Sequence, residues 1–347
     1  MLPMIWYAYM LLSIKGKAQA EQNISNEGSL PFISVLVPFR NESRCIADLL
    51  ASLKQQDYPS DLWELIMVDD HSLDSGPVLV RKAMKEMPVH SNYMRLEKGY
   101  GKKAALRKGV SIAQADWILA TDADCSFEQG WLRSYGKLIA AKESSMVCGP
   151  VLYRKDSKGW LVSFQRFEQA ILMYVSSAAI EAQRAFLANG ANMAFRKSYF
   201  HKADLKENNT VSGDDVFLLH YIKQTDPDKI LFNHADAALV RTPAKHSALR
   251  LVDQRIRWAS KSRYYQDSDS LKYGLAITLG NSVLIISIVL LLFDFLRLGA
   301  FLSLALIKLL VDAIIFFRAR KYSELDHPTA AFLLIFLLYP FYTIGIA

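Results

Sequence analysis

Asp116-Trp117-Ile118-Leu119-Ala120-Thr121-Asp122-Ala123-Asp124-Cys125 is the stretch that decides the fold. Trp117 to Ala120 are apolar without alternation, which suits a strand covered on both faces, as in a parallel sheet flanked by helices. Such a strand delivers Asp122 and Asp124 at its carboxyl end, where open α/β sheets bind their ligands. Carboxylates at i and i+2 of an extended segment point the same way. Side by side they repel, and one tends to take up a proton. A hard divalent cation relieves this, since Mg²⁺ typically takes one or two carboxylates plus substrate phosphates. A solvated acidic turn is the plainer reading of the same short motif.

Strands and helices alternate on the N-terminal side of this stretch. Phe32 to Val37 reads as a buried strand. Glu42 to Gln56 reads as an amphipathic helix with Ile46, Leu49, Leu50 and Leu53 on one face. A strand over Trp63 to Val68 closes with Asp69-Asp70-His71-Ser72. A helix over Pro77 to Met87 and a short strand over Tyr93 to Leu96 come next. Gly101-Lys102-Lys103 then opens another helix. This alternation predicts a doubly wound, mostly parallel α/β sheet.

Downstream the pattern changes. Trp160 to Ile180 is a long, aromatic-rich helical pattern, read either as a core-packing helix or as one on the membrane or lining an acceptor groove. Asn189-Gly190-Ala191-Asn192 reads as a polar turn where the backbone at Gly190 can approach a ligand closely. Ser212-Gly213-Asp214-Asp215 opens a helix, and Gln254 to Trp258 lies on one that begins near Ser247. Gly274 to Phe293, Leu298 to Phe317 and Ala330 to Ala347 are candidate membrane helices, since a span needs roughly 20 apolar residues. Met1 to Leu12 is apolar but too short to span. It reads as the end of a truncated span, an interfacial anchor or a signal-like segment. Ala18 to Leu30 reads as a linker. The expected organisation is a membrane-proximal segment and linker (1–30), one α/β domain (31–265) and a region of about three membrane helices (270–347). Lys15, Lys17, Arg318, Arg320 and Lys321 place the α/β domain on the cytoplasmic side. Lys308 and Asp312 share a helix face and can pair inside the membrane.

Composition narrows the function classes. In 347 residues, 52% hydrophobic content is high for a soluble chain, and the excess is C-terminal. Three scattered cysteines (Cys45, Cys125, Cys148) make neither a disulfide framework nor a metal cluster and fit a reducing compartment. A net charge of +7 suits anionic lipid or a phosphorylated substrate. Nucleic acid is not expected, for no dense Lys/Arg run with interleaved aromatics is present.

Several constellations carry chemistry. Asp69 and Asp70 end a strand, where a carboxylate can accept from an imide or a ribose hydroxyl, or simply close an Asx-turn. Lys102 and Lys103 follow a glycine at a helix start, where backbone N–H groups and a cation favour phosphate, or simply occupy a solvated helix face. Asp214 and Asp215 occupy a first helical turn, which the dipole stabilises in any case. Gln254, Arg257 and Trp258 share a helix face, so Arg257 can bind pyrophosphate oxygens and Trp258 can stack on a sugar.

The set resembles the membrane-bound branch of family 2 glycosyltransferases with the GT-A fold. The resemblance rests on Val37 to Glu42, Val68 to Ser72, Gly101 to Ala104, Thr121 to Asp124, Gly213 to Asp215 and Gln254 to Trp258, in the family's order over roughly Pro31 to Tyr265. It implies inverting transfer from a nucleotide sugar, expected to be a UDP-sugar, to a lipid-linked or polysaccharide acceptor at the cytoplasmic face of a bacterial inner membrane. It implies donor binding by Pro38, Arg40, Glu42, Asp69, Asp70, Lys102, Asp122 and Arg257, and acceptor binding by Gln254, Trp258 and Gly190. Mg²⁺ or Mn²⁺ would sit at Asp124 with Asp122. Asp215 would be the base, with Asp214 beside it. Where the family often has Glu-Asp this chain has Asp214-Asp215, so the base role passes to the second Asp. The alternatives are a processive synthase of cellulose or poly-N-acetylglucosamine type, a sugar nucleotidyltransferase and a non-catalytic membrane scaffold.

Overall fold

The computed structural model describes residues 1–14, 28–155, 158–203, 214–322 and 328–346. Lys15, Lys17, most of the expected linker and Ser212-Gly213 lie outside the described residues. The chain forms two compact units, each discontinuous in sequence: residues 18–152 with 183–243, and residues 1–17 with 153–182 and 244–347.

The first is a sheet unit. In chain order its elements are β1 (Ile33–Phe39), α2 (Ile46–Lys54), β2 (Trp63–Asp69), α3 (Gly76–Met84), β3 (His90–Arg95), α4 (Lys102–Ile112), β4 (Trp117–Thr121), β5 (Ser126–Phe127), α5 (Trp131–Ala141), β6 (Met146–Cys148), β7 (Val151–Tyr153), β8 (Asn192–Arg196), α7 (Lys197–Lys202), α8 (Asp214–Thr225), β9 (Ile230–Phe232) and β10 (Val240–Thr242); α1 and α6 belong to the other unit. The main sheet has the order β3-β2-β1-β4-β8-β6-β9, and a smaller one the order β5-β10-β7. β1, β2, β3 and β4 run parallel, while β8 runs antiparallel to β4 and to β6. Every residue of β1, β2 and β4 is buried, as expected of strands covered on both faces. The register pairs Phe39 with Asp69 and Leu36 with Ala120, so these strands end along one edge. Glycine at 109 lets α4 approach β1, because a Cβ there would lie 2.1 Å from Leu36 Cδ1. At the opposite edge Glu64 is buried but satisfied: its Oε1 accepts from Ser34 Oγ at 2.5 Å and from Gln114 N at 2.7 Å.

The expected helix over Glu42 to Gln56 begins later, at Ile46. The residues before it form a loop through Asn41, whose φ is +55°. The expected polar turn at Asn189 to Asn192 is split. Asn192 is instead the buried first residue of β8, donating to Pro150 O and Ala238 O and accepting from Trp131 Nε1 and Tyr135 Oη.

The second is a helical unit: α1 (Leu2–Ser13), α6 (Trp160–Glu181), α9 (Ala248–Ala259), α10 (Ser268–Leu292), α11 (Leu298–Ala319) and α12 (Pro328–Ile346). Two helical stretches, Ser268–Leu292 and Leu298–Tyr322, are long and apolar enough to cross a membrane; Leu2–Ser13 and Ile335–Ile346 are shorter apolar helices. α1 packs on α10 where Gly280 leaves room for the ring of Tyr7. Phe164 and Phe167 of α6 pack with Phe316 of α11 and with Phe332 and Tyr342 of α12. The aromatic face of α6 is therefore buried against helices of its own unit.

Candidate active site

The carboxyl ends of β1, β2 and β4 form the crevice expected beyond parallel strands. It is lined by Pro38, Phe39, Arg40, Glu42, Asp70, Lys102, Asp122, Ala123 and Asp124. Asp69 and Asp70 part company because consecutive residues of a strand face opposite ways. Asp69 is fully buried, accepting from Ser72 N at 2.8 Å and from Tyr93 Oη at 3.1 Å. Asp70 faces the crevice, 3.5 Å from Arg40 Nη1, and accepts from Gly101 N at 3.0 Å. Gly99 and Gly101 have φ of +81° and +89°, a conformation that only glycine adopts without strain. That turn places Lys102 at the start of α4, with its ammonium on Asp122. Burial would lower the Lys102 pKa, but the Asp122 carboxylate more than offsets this and the net shift is upward.

Asp214 and Asp215 open α8. Asp215 Oδ2 accepts from Gly190 N at 3.0 Å and Oδ1 from Val216 N at 2.9 Å. A Cβ at 190 would lie 3.3 Å from Asp215 Oδ2, so a glycine permits this approach. Asp214 is 6% exposed and lies 3.9 Å from Lys103. Burial raises its pKa, with Lys103 pulling the other way. Burial pushes the Cys148 thiol up to about 12 and Cys125 well above its usual value, so neither acts as a thiolate at neutral pH.

The loops beyond β1 and β2 are wired together by residues to which the sequence reading gave no role. Asn41 N donates to Ser72 Oγ at 3.0 Å, Leu73 N to Asn41 Oδ1 at 2.8 Å and Ser43 N to Asp74 Oδ2 at 2.8 Å. An Asn just after a strand was the available signal, since Asn tolerates positive φ. The Lys103–Asp214 pair had none.

Gln254, Arg257 and Trp258 belong to the helical unit. Arg257 is exposed and Trp258 is 37% exposed. The buried cation of this segment is Arg255, on Glu168. Burial opposes its charge, but Glu168 and Tyr153 outweigh that and raise its pKa.

Among the described residues no group of three or more His, Cys, Asp or Glu could hold a metal ion by itself. Asp122 and Asp124, just beyond the end of β4, both line the crevice, and carboxylate oxygens are the donors that Mg²⁺ or Mn²⁺ takes.

The family described as glycosyl transferase family 2 matches residues 34–203. That stretch is a family 2 glycosyltransferase domain. The match takes in every residue lining the crevice and ends before Asp214. Glycosyltransferase AglE of Haloferax volcanii is 25% identical over 201 residues, 56% of this chain and 62% of that protein. Beta-monoglucosyldiacylglycerol synthase of Nostoc sp. is 34% identical over 99 residues, 28% of this chain and 21% of that protein. Undecaprenyl-phosphate 4-deoxy-4-formamido-L-arabinose transferase of Salmonella choleraesuis is 33% identical over 93 residues, 26% of this chain and 28% of that protein. The chain thus spans less than two thirds of the length of each. Among solved structures, the mannosyltransferase PcManGT of Pyrobaculum calidifontis, in complex with GDP-Man and Mn²⁺, aligns with a TM-score of 0.59 at 17% identity, over 96% of this chain and 94% of that one. This likeness supports the GT-A fold.

Proposed function

We propose that the protein is an inverting glycosyltransferase that moves a sugar from a nucleotide sugar, UDP-linked on our reading, to a lipid-linked or polysaccharide acceptor at the cytoplasmic face of a bacterial inner membrane. The observation that carries this reading is the crevice, where Asp70, Lys102, Asp122 and Asp124 converge at the carboxyl ends of parallel strands. Within the proposed 31–265 transferase domain, Pro38, Arg40, Glu42 and Asp70 hold the nucleoside. Asp69 orients the turn beneath it through Ser72. Lys102 neutralises charge beside the diphosphate. Asp124 and Asp122 would hold Mg²⁺ or Mn²⁺, which supplies charge stabilisation to the departing diphosphate. Asp215, fixed by the Gly190 amide, takes the proton of the acceptor hydroxyl as that oxygen bonds to the anomeric carbon. The bond from that carbon to the diphosphate breaks on the opposite face, and the nucleoside diphosphate leaves with the bonding pair. On motif alone, Gln254 and Trp258 are assigned to the acceptor and Arg257 to the diphosphate.

A donor screen on membranes containing the protein, with the product mass measured, tests this. One hexose or N-acetylhexosamine added to lipid supports single transfer, and a ladder of masses supports a processive synthase. Nucleotide-sugar formation from a sugar phosphate would instead mark a nucleotidyltransferase. Asp124→Ala is expected to abolish both transfer and metal-dependent UDP binding while the protein still folds. Full activity in EDTA would refute the metal assignment.

A further inference from the structure

The helical unit holds a buried ion pair that the reaction above leaves unused. Arg255 of α9 is 5% exposed. Its Nε and Nη2 donate to Glu168 Oε2 of α6 at 2.9 and 2.5 Å, and Nη2 also reaches Tyr153 Oη at 3.4 Å. Tyr342 of α12 donates to the other Glu168 oxygen at 3.3 Å. Such a pair is weak evidence for stability in its own right, because desolvation offsets most of the attraction. The remaining contacts of Arg255 show what the pair holds in place. Its Nη1 donates to Gln254 Oε1 at 3.0 Å, and its guanidinium lies over the Trp258 ring, 4.2 Å from the centroid. Arginine carries donors only, so the Gln254 oxygen must face it and the amide NH₂ is turned away. The indole is held by one covered face while the side chain remains 37% exposed.

We propose that Arg255, anchored on Glu168, is a positioning residue that fixes the Gln254 amide and the Trp258 indole as a single acceptor-recognising surface. The inference rests on the acceptor assignment of Gln254 and Trp258. The acceptor chemistry it fits is a hydroxyl-bearing ring or headgroup. Its C–H face lies on the indole and one of its oxygens accepts from the Gln254 NH₂.

Arg255→Lys keeps a cation for Glu168 but loses the planar fork and the stacking. Subtracting the emission of Trp258→Phe from that of wild type isolates the Trp258 signal. Arg255→Lys is expected to shift this signal and make it more accessible to acrylamide. With monoglucosyldiacylglycerol and dioleoylglycerol as acceptor probes, the acceptor KM should rise roughly fivefold to thirtyfold while the donor KM stays unchanged. The exchange Glu168→Arg with Arg255→Glu restores the ion pair but not the guanidinium over Trp258. It should recover the thermal midpoint and leave the acceptor KM high. Unchanged Trp258 emission in Arg255→Lys, or full recovery of acceptor KM in the exchange, would overturn the proposal and leave only a structural tie. The emission measurement needs no turnover, and it decides alone if the exchange fails to fold or neither probe is used. Trp258→Phe with an unaltered acceptor KM would remove the acceptor assignment itself. An impaired Trp258→Phe beside a normal Arg255→Lys removes only the present inference.

Discussion

Two adjacent carboxylates at the head of α8 differ in what surrounds them. Asp215 is oriented by two backbone amides and keeps a second lone pair on each oxygen. Asp214 is buried beside Lys103. Asp215→Asn keeps the shape and removes the proton acceptor. It should lower kcat by about 10²–10⁴-fold, with UDP-sugar binding by calorimetry nearly unchanged. Asp214→Asn should cost less; normal turnover of Asp215→Asn beside a dead Asp214→Asn would reverse the assignment. Gly190→Ala forces the Asp215 carboxylate to yield, and should lower kcat by roughly tenfold. Asp214 also carries a pH signature. Its folded pKa is raised above the ordinary 3.8, so folding takes up a proton between the two values. Stability relative to Asp214→Asn therefore falls as pH rises through that window and is flat on either side. Thermal midpoints of both proteins across the acid range check the sign. The motif names both residues in the sequence. What separates their surroundings is Gly190, 25 positions from Asp215 in the chain, and Lys103 on α4, which no local pattern connects to them.

Among the elements, β1, β2 and β4 were legible because each is mostly apolar without alternation, Ser34 and Glu64 being the polar exceptions inside β1 and β2, and the Asp pairs after β2 and β4 were legible with them. The half of the sheet beyond β4, entered through the single reversed strand β8, was not. β6 and β9 have three residues each, and β8 reads Asn-Met-Ala-Phe-Arg, without a β-branched residue to mark it. β8 is held from its first residue, where the Asn192 amide joins the carbonyls of Pro150 and Ala238 to the side chains of Trp131 and Tyr135. All of these groups are buried or backbone, so truncation strands several at once. Asn192→Ala should destabilise the sheet unit by on the order of 3–5 kcal/mol, read from chemical denaturation in detergent. A loss below about 1 kcal/mol would mean that water replaces the amide. The long helix α6 shows the opposite limitation. Its aromatic pattern was visible, but the partner that buries it lies in α11 and α12, far along the chain.

At the scale of the molecule, the two units interleave along the sequence, so order in the chain does not give order in space. Charge at the end of α11, a candidate membrane span, makes a topological prediction: Arg318 in its last turn and Arg320 and Lys321 beyond it belong on the cytoplasmic side. A cysteine placed at Ser323, in a background lacking Cys45, Cys125 and Cys148, should resist labelling from outside intact cells. Efficient labelling would invert the orientation. The helical unit also places a charge where it needs a partner. Lys308 is 1% exposed and bonds Asp312 at 2.5 Å, one turn along α11. Tyr7 of α1 donates to the other oxygen of Asp312. The Lys308 ammonium lies 5.7 Å from the Tyr7 ring and 5.2 Å from that of Phe336. The sequence offered the Lys–Asp spacing, but Tyr7 is some 300 residues away and joins only through the packing of α1. Lys308→Met leaves the partly buried Asp312 without its cation, and should cost up to about 3–5 kcal/mol. Adding Asp312→Leu removes the orphaned charge as well, so the double variant should be markedly more stable than Lys308→Met alone. Tyr7→Phe removes one bond to a carboxylate and should cost about 1–2 kcal/mol, but only while Asp312 is present. Denaturation of the detergent-solubilised variants gives the full cycle. Simple additivity of Lys308→Met and Asp312→Leu would mean that the two charges do not sense each other, and a Tyr7→Phe cost that is unchanged without Asp312 would mean that α1 is held on α10 and α11 by apolar packing alone.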